Sequence, residues 1–281
     1  RIMDKLVNMG LTYFYYYDYG KQAFGKVDEG LGIISKYRLF NKESFYVSRE
    51  TSYELSDTRS VFYDINRTYL GQKGDIFVTH ESPFPNVPVI HQFISYYFGG
   101  HAAINNGENK FLEATGFPND DETLLEIILQ PGDEPNDYST KMSLSSTNYW
   151  LNPRYRTSTA DEYPYFGSNY RNDFVGLRVK DITSEQIDGA VEFAASKVDA
   201  ALYNFTFFLD LKYKYYCTDF VSRAYQDVMV APEDQRNYSR ALNDDRFITS
   251  VNDLILSKET YITFYVENID DITNIYYLAD I

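Results

Sequence analysis

One cysteine, Cys217, stands in a chain of 281 residues, so no internal disulfide can staple the fold and it must rest on its apolar core. The material for such a core is present: 44% of the residues are hydrophobic and 17% are aromatic, which excludes wholesale disorder. The lone thiol is then either a small core residue or a reagent. With 26 Lys and Arg against 41 Asp and Glu, the net charge is −15, and nucleic-acid backbones and anionic membrane surfaces are poor partners. No stretch approaches the ~18 uninterrupted apolar residues of a bilayer-spanning helix. Even the apolar window from Val87 to Phe98 carries His91, Gln92 and Ser95.

Residues 1–73 hold aromatic clusters such as Tyr13 to Tyr17 without periodicity, and they end in the turn composition Gly71-Gln-Lys-Gly74. They are expected to form an N-terminal extension packed on a single domain of residues 74–281. Asp75 to Thr79 reads as a strand, and Ser82 to Pro88 as a proline-broken loop leading into an apolar helical segment, Val89 to Phe98. His101 to Asn105 and Lys110 to Thr115 read as strands of a hairpin about Gly107, and Leu124 to Leu129 as a further strand. Residues 131–173 lack a period, contain Trp150, and read as a long insertion bordering the functional site. Phe174 to Val179 alternates like a strand. Thr183-Ser-Glu-Gln186 is a capping-box pattern ahead of the stripe Ile187, Ala190, Val191, Ala194, Ala195, Val198, which predicts a helix. Cys217, Phe220, Val221, Ala224, Tyr225 and Val228 repeat that spacing, with late strands at Tyr261 to Val266 and Ile275 to Leu278. The fold class expected is α+β, an antiparallel sheet packed on helices.

Chemistry centres on Cys217. It opens its predicted helix directly after Lys212-Tyr-Lys-Tyr-Tyr216, where the helix N-terminus and the nearby lysines would both favour a thiolate. A thiol nucleophile needs a base, and the chain has three histidines, His80, His91 and His101. His91 lies in an apolar segment and His80 runs into a proline loop. His101 follows Gly99-Gly100 and precedes two alanines, so its imidazole has room. In a hairpin centred on Gly107, His101 would face Glu113 directly, with Ala103 opposite Phe111, and the carboxylate would then accept the imidazole N–H. Such a carboxylate either orients His101 as the third member of a triad or is an ordinary cross-strand partner. Tyr203 and Tyr216 are expected to shape the pocket as substrate-binding residues. Asp219 should interact with its own helix N-terminus, away from Cys217. The histidines and Cys217 lack any close metal-ligand pair, so no metal or other cofactor is expected. Asn119-Asp-Asp-Glu122 reads as a solvated turn.

Gly74-Asp-Ile-Phe-Val-Thr79, Gly100-His-Ala-Ala-Ile104, Phe111-Leu-Glu-Ala114, Val175-Gly-Leu-Arg-Val179 and Tyr216-Cys-Thr-Asp-Phe-Val221 together resemble the permuted papain-like amidases of the YiiX/YaeF type, a circularly permuted branch of the NlpC-related cysteine peptidase superfamily. The resemblance covers residues 74 to 266. It implies a permuted papain-like fold with the order histidine, polar residue, cysteine, matched by His101, Glu113 and Cys217. It also implies a cysteine hydrolase that cleaves amide bonds, cell-wall peptides among them, through a thioester. Lipid-ester hydrolysis or acyl transfer on the same residues, or a silent peptide- or glycan-binding module using the surface around Tyr149-Trp150, are the alternatives. The expected partner is a small peptide or amide, with no nucleic acid and no integral membrane segment, and the expected location is extracytoplasmic.

Overall fold

A computed structural model describes residues 45–50, 70–79, 100–116, 118–119, 121–145, 150, 173–207, 209, 211–236, 241–243, 248–269 and 272–279. His80, His91 and the expected loop and helix between Ser82 and Phe98 lie outside them. The described residues hold ten strands, β1 (Phe45–Glu50), β2 (Ile76–Thr79), β3 (His101–Asn105), β4 (Phe111–Ala114), β5 (Met142–Leu144), β6 (Asp173–Val179), β7 (Leu202–Tyr203), β8 (Lys214–Tyr215), β9 (Thr260–Ile269) and β10 (Ile272–Ala279). Among the described residues four α-helices accompany them: α1 (Leu124–Leu129), α2 (Ser184–Ser196), α3 (Cys217–Met229) and α4 (Val251–Leu256). Eight strands form one sheet in the order β1-β10-β9-β6-β2-β3-β4-β5, every pair antiparallel, while β7 and β8 form a small parallel pair. The architecture is α+β, an antiparallel sheet packed against helices.

Both faces of the central strands are covered, which is why β2 is buried at all four positions rather than at alternate ones. On one face, Ile76, Val78, Ala102, Ile104, Leu112, Val175 and Leu177 pack with Ala190 and Ala194 of α2 and Phe220, Val221 and Ala224 of α3. On the other, Phe77, Phe111, Trp150, Phe174 and Phe264 gather in an aromatic cluster, with Phe77 at its centre. Gly176 makes that cluster possible, because a Cβ there would lie 2.1 Å from the Phe264 ring. Its partner across the ladder is Phe264 itself, so the ring lies over the space that glycine leaves open.

The start of β2 is tied down by buried polar groups. Asp75, 1% exposed, accepts from Arg178 Nε and Nη2, both at 2.8 Å, and from the Gln72 backbone N–H. The Tyr225 hydroxyl of α3 donates to the Gly74 carbonyl, and burial holds its phenol well above the ordinary range. α2 begins as its capping box dictates: Thr183 Oγ1 accepts from the Gln186 N–H, and Gln186 Oε1 accepts from the Thr183 N–H.

Two local expectations need correction. Leu124–Leu129 is helix α1, not a strand: Thr123 and Glu126 form a reciprocal capping box. The far end is closed by Lys214, whose ammonium donates to the Ile127 and Ile128 carbonyls at 2.8 and 2.7 Å. A six-residue run with five apolar residues fits either element, and here the cap decides. The β3–β4 register is also displaced by two residues from a hairpin centred on Gly107, since Ala103 faces Glu113 and Asn105 faces Phe111. The connecting turn is longer than assumed. Gly107 and Asn109 both adopt positive φ, Asn106 Oδ1 accepts from the Glu108 and Lys110 N–H groups, and the Asn106 N–H reaches the Lys110 carbonyl.

Candidate functional site

Helix α3 is fixed by bonds along its length, and this sets the position of its first residue. The Thr218 hydroxyl donates to the Thr249 carbonyl at 2.6 Å, the Tyr216 hydroxyl accepts from the Thr249 N–H at 2.9 Å, and the Ser222 hydroxyl donates to the Ala241 carbonyl. Asp219 pairs with Arg223 one turn on, at 3.1 Å, and so faces along its own helix rather than toward Cys217. With α3 thus anchored and its apolar face on the sheet, Cys217 sits at the helix start, 9% exposed, its Sγ 3.9 Å from the Gly100 carbonyl. Gly100 precedes β3, so the N-terminus of α3 meets the first residue of that strand, His101.

His101 and Glu113 lie on the same sheet face, one register step apart on the diagonal. That distance suits a long carboxylate side chain, and His101 Nε2 is 2.7 Å from Glu113 Oε2. A two-residue displacement keeps side chains on their original face, so contact survives where a one-residue slip would have abolished it. The pair is secluded, with side-chain exposures of 16% for His101 and 8% for Glu113. Trp150, 1% exposed, lies nearly parallel to the imidazole, its ring centroid 6.0 Å away at an interplanar angle of 16°. With Nε2 committed to Glu113, Nδ1 is the ring nitrogen left to Cys217, whose neighbourhood acts on the imidazole. Burial alone would pull the His101 pKa down. The hydrogen bonds to Cys217 and Glu113, reinforced by their charges, outweigh it, and the net shift is upward.

The structure therefore brings Cys217, His101 and Glu113 side by side at one end of the sheet. Tyr203 and Tyr216 flank the same corner. Tyr203 is half-buried, and burial, then the neighbouring Cys217 charge, raises its phenol well above the ordinary value. Tyr216 is 4% exposed and its hydroxyl is occupied by Thr249, so it is a structural prop of α3 as much as a wall of the site. The lysines ahead of Cys217 do not serve it: Lys214 reaches α1, and Lys212 lies over the Tyr213 ring. Trp150 is not a surface for ligands, since it is buried against His101. Nothing in the sequence signalled that contact, because Trp150 stands in an aperiodic stretch. Among the described residues, no group of three or more His, Cys, Asp or Glu side chains is arranged to hold a metal ion. Nor is any described helix long and apolar enough to cross a membrane.

No family profile matches the chain, and no curated protein matches it. One solved structure does: the crystal structure described as metalloprotein YiiX from Escherichia coli O157:H7, 15% identical, with 68% of this chain and 95% of that chain covered, at a TM-score of 0.37. A likeness that weak carries no argument about fold or function. No family profile and no curated relative links the chain to the cysteine peptidases. The assignment to the permuted papain-like, NlpC-related amidases is accordingly corrected. With it go the thiol-protease and amidase readings, the thioester mechanism, the ester and acyl-transfer variants and the cell-wall substrate. What stands is an α+β chain in which a cysteine, a histidine and a glutamate meet.

Proposed function

We propose that Cys217, His101 and Glu113 form a reactive-thiol centre that captures a small electrophilic molecule. The observation that supports this best is the position of His101, bonded through Nε2 to a buried carboxylate at 2.7 Å and next in sequence to Gly100, whose carbonyl lies 3.9 Å from the Cys217 sulfur. In the step proposed, the imidazole takes the thiol proton, the sulfur electron pair forms a bond to the electrophilic carbon as a leaving group departs with its bonding pair, and Glu113 stabilises the imidazolium that results. Trp150 keeps water from the His101–Glu113 bond, and a charge-assisted hydrogen bond is stronger in a site that excludes water. Tyr203 and Tyr216 border the space beside the sulfur.

The test is kinetic. Iodoacetamide should alkylate Cys217 at least about tenfold faster than a free small-molecule thiol at pH 7. His101→Ala should bring the rate to or below that of the free thiol, because a cysteine 9% exposed is otherwise shielded. Equal rates for the wild-type and His101→Ala proteins would reject the proposal. Since Cys217 is the only cysteine, the modified mass reports on this site alone.

A further inference from the structure

The segment from Tyr203 to Leu209 carries four aromatic residues and no charged one in a chain of net charge −15. Its described residues, 203–207 and 209, are folded around a single buried side chain. Asn204, 1% exposed, accepts through Oδ1 from the Thr206 N–H at 3.0 Å and the Thr206 hydroxyl at 2.6 Å, while its Nδ2 donates to the Leu209 carbonyl at 2.9 Å. Its own backbone N–H donates to the Tyr215 carbonyl, two residues before Cys217. Asn204 thus fastens the loop beside the start of α3 and holds Phe207 at a φ of +39°, which an aromatic residue rarely adopts. The rings form a chain toward the thiol: Phe205 lies 4.9 Å and Phe207 6.1 Å from Tyr203, and Phe207 lies 5.4 Å from Tyr216, the residue before Cys217. Tyr203 is backed by Gly116, where a Cβ would come within 2.9 Å of its ring. Tyr203, Phe205 and Phe207 are each half-buried.

From this placement we infer that the loop 203–209 is the substituent-binding surface of the thiol centre and selects neutral electrophiles that carry an aromatic ring. The inference rests on the thiol reading above and adds the ligand class. A strained, side-chain-braced loop keeps its rings in place before the ligand arrives, and ring-on-ring contact is favourable without any charge. The acidic chain as a whole disfavours anionic ligands.

The experiment compares two alkylating reagents with one warhead, 2-chloroacetamide and N-benzyl-2-chloroacetamide. In each, the sulfur electron pair forms the S–C bond, chloride leaves with its bonding pair, and the thiol proton passes to His101. Each rate is divided by that of the same reagent with glutathione. The normalised rate of the wild-type protein should favour the benzyl reagent by about tenfold, which corresponds to roughly 1.4 kcal/mol. In Phe207→Leu and in Phe205→Ala the ratio of the two normalised rates, which is independent of any change in the intrinsic reactivity of the thiol, should fall below about threefold. A fast chloroacetamide reaction without a benzyl preference overturns the inference and leaves the thiol centre standing. A preference that persists in both variants also overturns it, because the ring would then be bound elsewhere. If neither reagent outpaces glutathione, the thiol centre itself fails and the ligand class falls with it.

Discussion

Glu113→Gln isolates the charge of one carboxylate from the hydrogen bond it makes. Glutamine is nearly isosteric and still offers an oxygen to the His101 Nε2–H, so what is lost is the charge beside a histidine whose side chain is 16% exposed. In the wild-type protein the folded pKa of His101 lies above its ordinary value of 6.5, despite burial, because Cys217 and Glu113 favour the protonated ring. A raised folded pKa means that the stabilisation is fully present below the unfolded pKa and is lost as pH rises through the folded one. Removing a partner from a buried charge pair typically costs about 3–5 kcal/mol. Here His101 can shed its proton and keep a neutral bond, so the cost is bounded by exchanging a charged hydrogen bond for a neutral one. At about 1.5–3 kcal/mol for the first and 0.5–1.5 for the second, that exchange is roughly 1–1.5 kcal/mol. Urea unfolding of the two proteins should show a loss of about 1–1.5 kcal/mol near pH 6, shrinking to below about 0.5 kcal/mol near pH 9. A loss equal at both pH values, or larger at the alkaline one, would refute the reasoning, since it would mean that the glutamate does not act on a protonated His101.

Gly176→Ala should destabilise the fold by about 1–3 kcal/mol in the same assay, because the new methyl meets the fully buried Phe264 ring at 2.1 Å. A change under about 0.5 kcal/mol would show that the aromatic cluster yields easily. Asp75→Ala leaves Arg178 without its two-pronged acceptor and should cost about 3 kcal/mol, the low end for a buried pair because the arginine is 23% exposed. Lys214→Met keeps the apolar stem and removes the ammonium that closes α1, so amide exchange should accelerate in residues 124–130, with a global loss of about 1–3 kcal/mol. Unaltered exchange there would argue that α1 is held by other contacts.

The sequence was most legible where local signals agreed. The capping box at Thr183 and the apolar stripe behind it specify α2, and the repeated stripe after Tyr216 specifies α3 with Cys217 at its head. Strands β2, β3 and β4 fall within runs read as strands, while β6, β9 and β10 include theirs and extend beyond them. α1 was misread although its capping box, Thr123 with Glu126, stood in the sequence; five apolar residues among six outweighed a four-residue cue. The meeting of His101 with Glu113 was foreseen on the wrong register, and it occurs because sheet faces repeat every two residues. Three features had no local signature. Trp150 reaches His101 across the fold, Lys214 turns from the thiol to the end of α1, and Asn204 organises a loop through its buried amide. Each is a long-range or side-chain-to-backbone contact, which no periodicity encodes. The motif likeness to a peptidase family was legible as well, and it misled, since a few short matches fix residue types without fixing the reaction.

The central claim is that Cys217 and His101 act as one unit, and an NMR titration of the His101 imidazole in the wild-type and Cys217→Ala proteins tests it most directly. Only three histidines contribute signals, so the resonance can be assigned by a His101→Gln spectrum. Cys217 is the foremost of the influences that raise the His101 pKa, while burial continues to lower it. Cys217→Ala should therefore shift the titration of His101 downward while the far-ultraviolet circular dichroism stays that of the wild type. An unchanged His101 titration in a folded Cys217→Ala protein would contradict the coupling and leave Cys217 a buried, unassisted thiol.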